Sequence, residues 1–61
     1  MGAYRKYKNG VYGIRYKGYY ISRVAAKNFD ILDEELTPVM TGIVSEDECR
    51  WNIYKLSLIH I

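Results

Sequence analysis

Apolar and polar residues exchange places along this chain with two different periods. From Tyr4 to Val24 aromatic and aliphatic residues are threaded through cations and glycines, close to the period-two rhythm of half-buried strands. Two glycine pairs interrupt the run eight residues apart, Asn9-Gly10 and Lys17-Gly18. Asn-Gly is a strong hairpin signal, because both residues tolerate the positive φ of a type I′ turn; Lys-Gly is a weaker one. The flanks hold Tyr, Val and Ile, which suit a pleated surface. Strands are therefore predicted near 3–8, 11–16 and 19–24.

Pairing across two-residue turns then assigns the faces. Around Lys17-Gly18, Tyr16 meets Tyr19, Ile14 meets Ile21 and Tyr12 meets Arg23. Around Asn9-Gly10, Tyr7 meets Tyr12 and Arg5 meets Ile14. One face carries Tyr7, Tyr12, Ile14, Tyr16, Tyr19 and Ile21, and is expected to be the core. The other carries Tyr4, Lys6, Lys8, Val11, Gly13, Arg15, Tyr20, Ser22 and Val24. The division depends on register, since a slip of one residue turns every side chain to the other side.

Residues 25–28 read as a turn. Phe29 and Ile31 flank Asp30 in a short fourth strand. Asp33, Glu34 and Glu35 form a charged loop, and Pro38 restarts the chain in extended form. Residues 39–44, VMTGIV, predict a fifth strand with a bulge at Gly42. The period then changes. Ser45 is placed to cap the amide of Glu48, and Glu48 to reach back, at the start of a helix with three acids in its first turn. Cys49, Ile53 and Leu56 make a narrow apolar stripe for the sheet. Trp51 points about 200° away from Cys49 and leaves that stripe. The fold class is α+β: a four- to five-stranded antiparallel β-meander with one C-terminal α-helix packed on its tyrosine-rich face.

Composition fits one small domain. The 61 residues are 49% hydrophobic and 26% charged, a globular balance with a marginal core. Seven tyrosines stand against one Phe and one Trp. The single cysteine excludes an internal disulfide and a zinc cluster, and suits a reducing cytoplasm. No apolar run approaches the roughly 18 residues of a membrane span, so no membrane partner is expected. No signal-peptide core is present, and Lys6 stands where a myristoylation signal wants Ser or Thr. The net charge of +2 conceals a division. Residues 1–27 hold Arg5, Lys6, Lys8, Arg15, Lys17, Arg23 and Lys27 with no acid. All seven acids follow, against only Arg50 and Lys55. Such segregation predicts a dipolar molecule with one end suited to anions.

The last six residues, LSLIHI, look like the in-frame translation of the mosaic-end adapter used in transposase-based sequencing libraries, and the match covers all six. That resemblance implies a native domain over 1–55, cut short at its C-terminus, followed by a non-native tail over 56–61. His60 is then no catalytic or metal residue, and Trp51 and Tyr54 are left without a packing partner.

The inventory does not support catalysis. Cys49 has no native histidine to activate it and lies on the apolar stripe. Asp30, Asp33, Glu34 and Glu35 match no EF-hand spacing and read as a solvated turn, so neither a metal nor a cofactor is expected. No glycine-rich phosphate loop is present. One constellation remains. Lys6, Lys8 and Arg15 project from one face, with Lys17 at the adjoining turn and Tyr4 and Tyr20 among them. Cations neutralise phosphates and aromatic rings stack on bases, so the face suits DNA or RNA. Small sheets also carry such cations for solubility and edge protection. A three-stranded sheet backed by a C-terminal helix resembles the arm-binding domains of tyrosine recombinases and the AP2-type plant domains. The resemblance rests on element order over residues 3–57, and the hairpin at 28–44 departs from it. It implies a sheet laid in the major groove, with Lys6, Lys8 and Arg15 as the groove-facing residues. The alternative is a protein-interaction or assembly module of bacterial or phage type. In that reading the sheet edges, Trp51 and Tyr54 meet a protein partner or a second copy.

Overall fold

In the computed structural model, which describes residues 4–59, five strands follow one another in chain order across a single antiparallel sheet. They are β1 (Arg5–Lys6), β2 (Tyr12–Tyr16), β3 (Tyr19–Ala25), β4 (Asn28–Leu32) and β5 (Pro38–Ile43). Helix α1 (Glu46–Ile59) packs across β3, β4 and β5. The predicted α+β meander is therefore present, with five strands. Ala3, expected to open the first strand, lies outside the described residues, as do His60 and Ile61. Leu56–Ile59 continue α1 without a break.

The second hairpin forms in the expected register, with Tyr16 opposite Tyr19 and Ile14 opposite Ile21. Lys17 and Gly18 both take positive φ, 49° and 84°, which is what a type I′ turn requires. The first hairpin differs. Its loop holds three residues, Lys8–Gly10, closed by a bond from the Tyr7 N–H to the Val11 carbonyl at 2.7 Å. Gly10 takes the left-handed position at φ 74°, as a three-residue hairpin loop demands. One extra loop residue shifts the pairing by one: Arg5 lies opposite Gly13, and Lys6 opposite Tyr12. Every side chain before the loop therefore changes face relative to the two-residue reading.

The sheet edges are blunted. β1 is two residues long and both are cations. β5 opens on Pro38, and its pairing with β4 shifts register twice. One shift falls between Met40 and Ile43, where Gly42 at φ 72° makes the bulge expected there. Short, charged and bulged edges resist pairing with other strands.

The helix begins as its sequence specifies, with the Glu48 amide donating to Ser45 Oγ at 3.2 Å. Its stripe is buried as predicted: Cys49 and Ile53 lose all exposure, and Leu56 is half-buried. Beneath them lie Ile21, Phe29, Ile31 and Ile43, with Ile14, Tyr16, Tyr19 and Met40 packed around the rim. The core is thus mainly isoleucine from the middle of the sheet rather than tyrosine from its first hairpin. Tyr12 stays 43% exposed, and Tyr7 is not on this face.

Gly13 has a steric role. A Cβ built there would stand 1.9 Å from the Ile21 carbonyl oxygen of the neighbouring strand, a contact with backbone that no rotamer relieves. Gly13→Ala is expected to cost about 2 kcal/mol or more. A core this small rarely supplies above about 3–5 kcal/mol, so most of the margin would go. Urea denaturation followed by circular dichroism checks it; an unchanged midpoint would mean that β2 and β3 do not approach this closely.

Candidate nucleic-acid interface

The register of the first hairpin redistributes the predicted site. Lys6 pairs with Tyr12 and so shares the helix-covered side. Tyr4 lies on that side too: its ring is 5.4 Å from Tyr12, and its hydroxyl donates to Glu46 Oε1 at 2.5 Å. Lys8 is exposed in the loop before β2. Lys17 sits at the β2–β3 turn with its Nζ 5.6 Å from the Tyr16 ring, leaning to the helix side. Lys6, Lys8 and Arg15 therefore do not project together.

Arg15 and Tyr20 remain neighbours on the helix-free face. They are cross-strand partners, with the guanidinium 5.5 Å from the centre of the ring. The same slip that removes Lys6 and Tyr4 brings in Arg5 and Tyr7. Arg5 pairs with Gly13 on this face. Tyr7 meets Tyr20 edge-on, with ring centres 4.8 Å apart. The period-two alternation already held this exchange, but only the loop length selects it.

Some residues of this face are buried despite the absence of the helix. Gly13 pairs with Ser22, which is buried, and Tyr20 pairs with Leu32, which is 4% exposed. Asp30 pairs with Ser22 and ends the positive region at β4. Glu34 reaches Arg15 from the β4–β5 loop at 3.6 Å, an exposed pair of little energetic weight. The expected dipole is therefore largely folded away. The meander returns the acidic half of the chain against the basic half at both ends of the sheet. Asp33, Glu34 and Glu35 stand beside Lys17, while Glu46 and Arg23 both act on Tyr4.

A polar network centred on Glu46 joins strand and helix. Glu46 accepts from Tyr4 and, through Oε2, from Arg50 Nε at 3.1 Å and Nη2 at 2.6 Å. Arg50 lies 5.1 Å from the centre of the Tyr16 ring. The Glu46–Arg50 spacing of four was legible; the Tyr4 partner was not, because it needs the shifted register. Burial first, then the bond to Glu46, pushes the Tyr4 hydroxyl from 10.0 up to about 12. The Tyr4 bond first, then Arg50, holds the Glu46 carboxyl below its ordinary 4.5. Burial, then Glu46 and Asp30, raises the Cys49 thiol to about 11, so it stays protonated at neutral pH.

The acidic loop is held by its own backbone. Asp33 Oδ1 accepts from the amides of Glu35 and Thr37 at 2.8 and 2.9 Å. Among the described residues no three of His, Cys, Asp and Glu converge as metal ligands. Nor, among them, is any helix long and apolar enough to cross a membrane. Trp51 and Tyr54 stack on the outer side of α1, with ring centres 5.5 Å apart and planes 15° from parallel. The chain matches no protein-family model, no curated protein and no solved structure.

The Tyr4–Glu46 bond sets a pH window at each end. Glu46 is depressed in the fold, so its contribution is complete above about pH 4.5 and is lost as pH falls through the lowered value. Tyr4 is raised, so its contribution is complete below pH 10.0 and is lost as pH climbs towards about 12. At neutral pH, Tyr4→Phe is expected to cost about 1 kcal/mol, the lower range for a partly exposed bond to a charged group. The melting-temperature gap between the two proteins should shrink in both windows. Parallel pH profiles would exclude the bond.

Proposed function

We propose that this chain is a small, non-enzymatic, cytoplasmic binding module that lays single-stranded DNA or RNA on the helix-free face of its sheet. The observation that carries the reading is the grouping of Arg15, Tyr20 and Tyr7 on that face, with Arg5 in the next row. A ring face beside a guanidinium offers stacking to a base and charge to its phosphate, independently of sequence. Lys8, exposed in the loop before β2, adds a cation at that end of the strand.

Width favours a single strand. Five strands at about 4.8 Å spacing make a sheet about 20 Å across. A duplex major groove is about 12 Å wide and admits a helix or a two-stranded ribbon. The groove docking implied by the recombinase-type resemblance thus fits this wider sheet poorly. The alternative, a protein-interaction or assembly module, draws on Trp51 and Tyr54 on the far side of the molecule.

Anisotropy of a labelled single strand and a labelled duplex, followed against salt, tests the proposal. With about four phosphates neutralised, single-strand affinity should fall roughly fiftyfold between about 50 and 200 mM salt. Arg5→Glu with Arg15→Glu should abolish binding. Lys6→Glu with Tyr4→Phe, changed on the other face, should leave most of it. Binding that ignores salt, or that is lost with the second pair and kept with the first, would overturn the proposed face.

A further inference from the structure

The outer side of α1 carries an apolar stripe that the fold does not use. Trp51 is 59% exposed, Tyr54 43% and Leu58 48%. They recur at i, i+3 and i+7, so they form one continuous line down the helix. Beside the line runs an open groove of about 440 Å³, walled by Tyr16, Asp47, Arg50, Trp51 and Tyr54. Large aromatic residues in a row on an exposed helix are the usual content of an interface centre.

We infer that this stripe is a self-association surface, on which the α1 helices of two copies pack antiparallel about a two-fold axis between Trp51 and Tyr54.

Charge selects the occupant and the direction. Glu48 and Lys55 flank the stripe on the same side, about 20° apart around the helix and two turns apart along it. In an antiparallel pair centred between Trp51 and Tyr54, Lys55 comes alongside Glu48 of the second copy, and symmetry makes the contact twice. Each Trp51 then faces Tyr54 of the second copy. In a parallel pair the two-fold runs along the helices, so the Glu48–Lys55 flanks of the two copies fall on opposite sides of the seam and the charges do not pair. The blunted edges β1 and β5 leave this helix face as the better route to a dimer. Trp51, Tyr54, Glu48 and Lys55 all precede residue 56; of the stripe, Leu58 lies in the LSLIHI segment.

Trp51 is the only tryptophan, so it reports on its own burial. Sedimentation equilibrium over rising concentration should take the apparent mass from 7.2 kDa to about twice that value, while Trp51 emission shifts to the blue in step. Trp51→Ala should return the monomer; the residue is exposed, and an unchanged circular dichroism spectrum will show that the variant folds. Glu48→Lys alone and Lys55→Glu alone should each weaken the dimer at least tenfold. The double swap should restore it, because the pair is reciprocal. A monomer at every concentration overturns the inference. So does a dimer that survives Trp51→Ala, or one that neither charge reversal weakens. Single variants that weaken the dimer with no rescue in the double swap overturn the antiparallel geometry.

Discussion

One helix of fourteen residues has to cover a sheet of five strands, and it can cover only one face. The contact that fixes which face is the seating of Cys49 and Ile53 against the isoleucine-rich centre of the sheet, where Ile21 and Ile31 are fully buried. Ile21 and Ile31 are cross-strand partners, so a single register places both beneath the helix. Burial of this kind is non-directional, but the pleat makes it binary: a residue is under the helix or on the other side. With so small a core, no second cluster of comparable size competes to reverse the choice.

Everything on the open face follows by exclusion. Arg15, Tyr20, Arg5 and Tyr7 are there because Ile14, Ile21 and Tyr4 are not. The same alternation produces the network on the covered side. Tyr4 reaches Glu46 because the first hairpin has three residues in its loop, and Glu46 stands at the start of α1 because Ser45 caps it. Two local choices, a loop length and a helix cap, thus meet in one hydrogen bond between the first strand and the last element.

The charge pattern shows why linear segregation is a poor guide to surface potential in a meander. Seven cations precede all seven acids in the chain. Antiparallel strands carry both halves back and forth between the same two ends of the sheet. The acidic β4–β5 loop arrives beside Arg15 and Lys17, and Glu46 at the acidic helix start comes to Tyr4, on which Arg23 also acts. What survives is local rather than global: a cation–aromatic patch on β1–β3 and a Glu48–Lys55 arrangement on the outer helix.

Much of the fold was legible in the residues themselves. Lys17-Gly18, Pro38, Gly42 and the Ser45 cap each specify backbone conformation within a few neighbours, so their turns and boundaries could be read directly. The spacing of Cys49, Ile53 and Leu56 likewise gave the buried helix stripe, and left Trp51 outside it. Half of the candidate site was legible for the same reason, since Arg15 and Tyr20 flank the turn that was read correctly. The other half was not. Asn9-Gly10 is compatible with a two-residue loop and with a three-residue one. Only the packing of Tyr4 against Tyr12 and Glu46, and of Tyr7 against Tyr20, distinguishes them. Local sequence therefore determined the elements and their order. Tertiary contacts decided which side of the sheet its first strand presents, because that choice is settled by partners forty residues away.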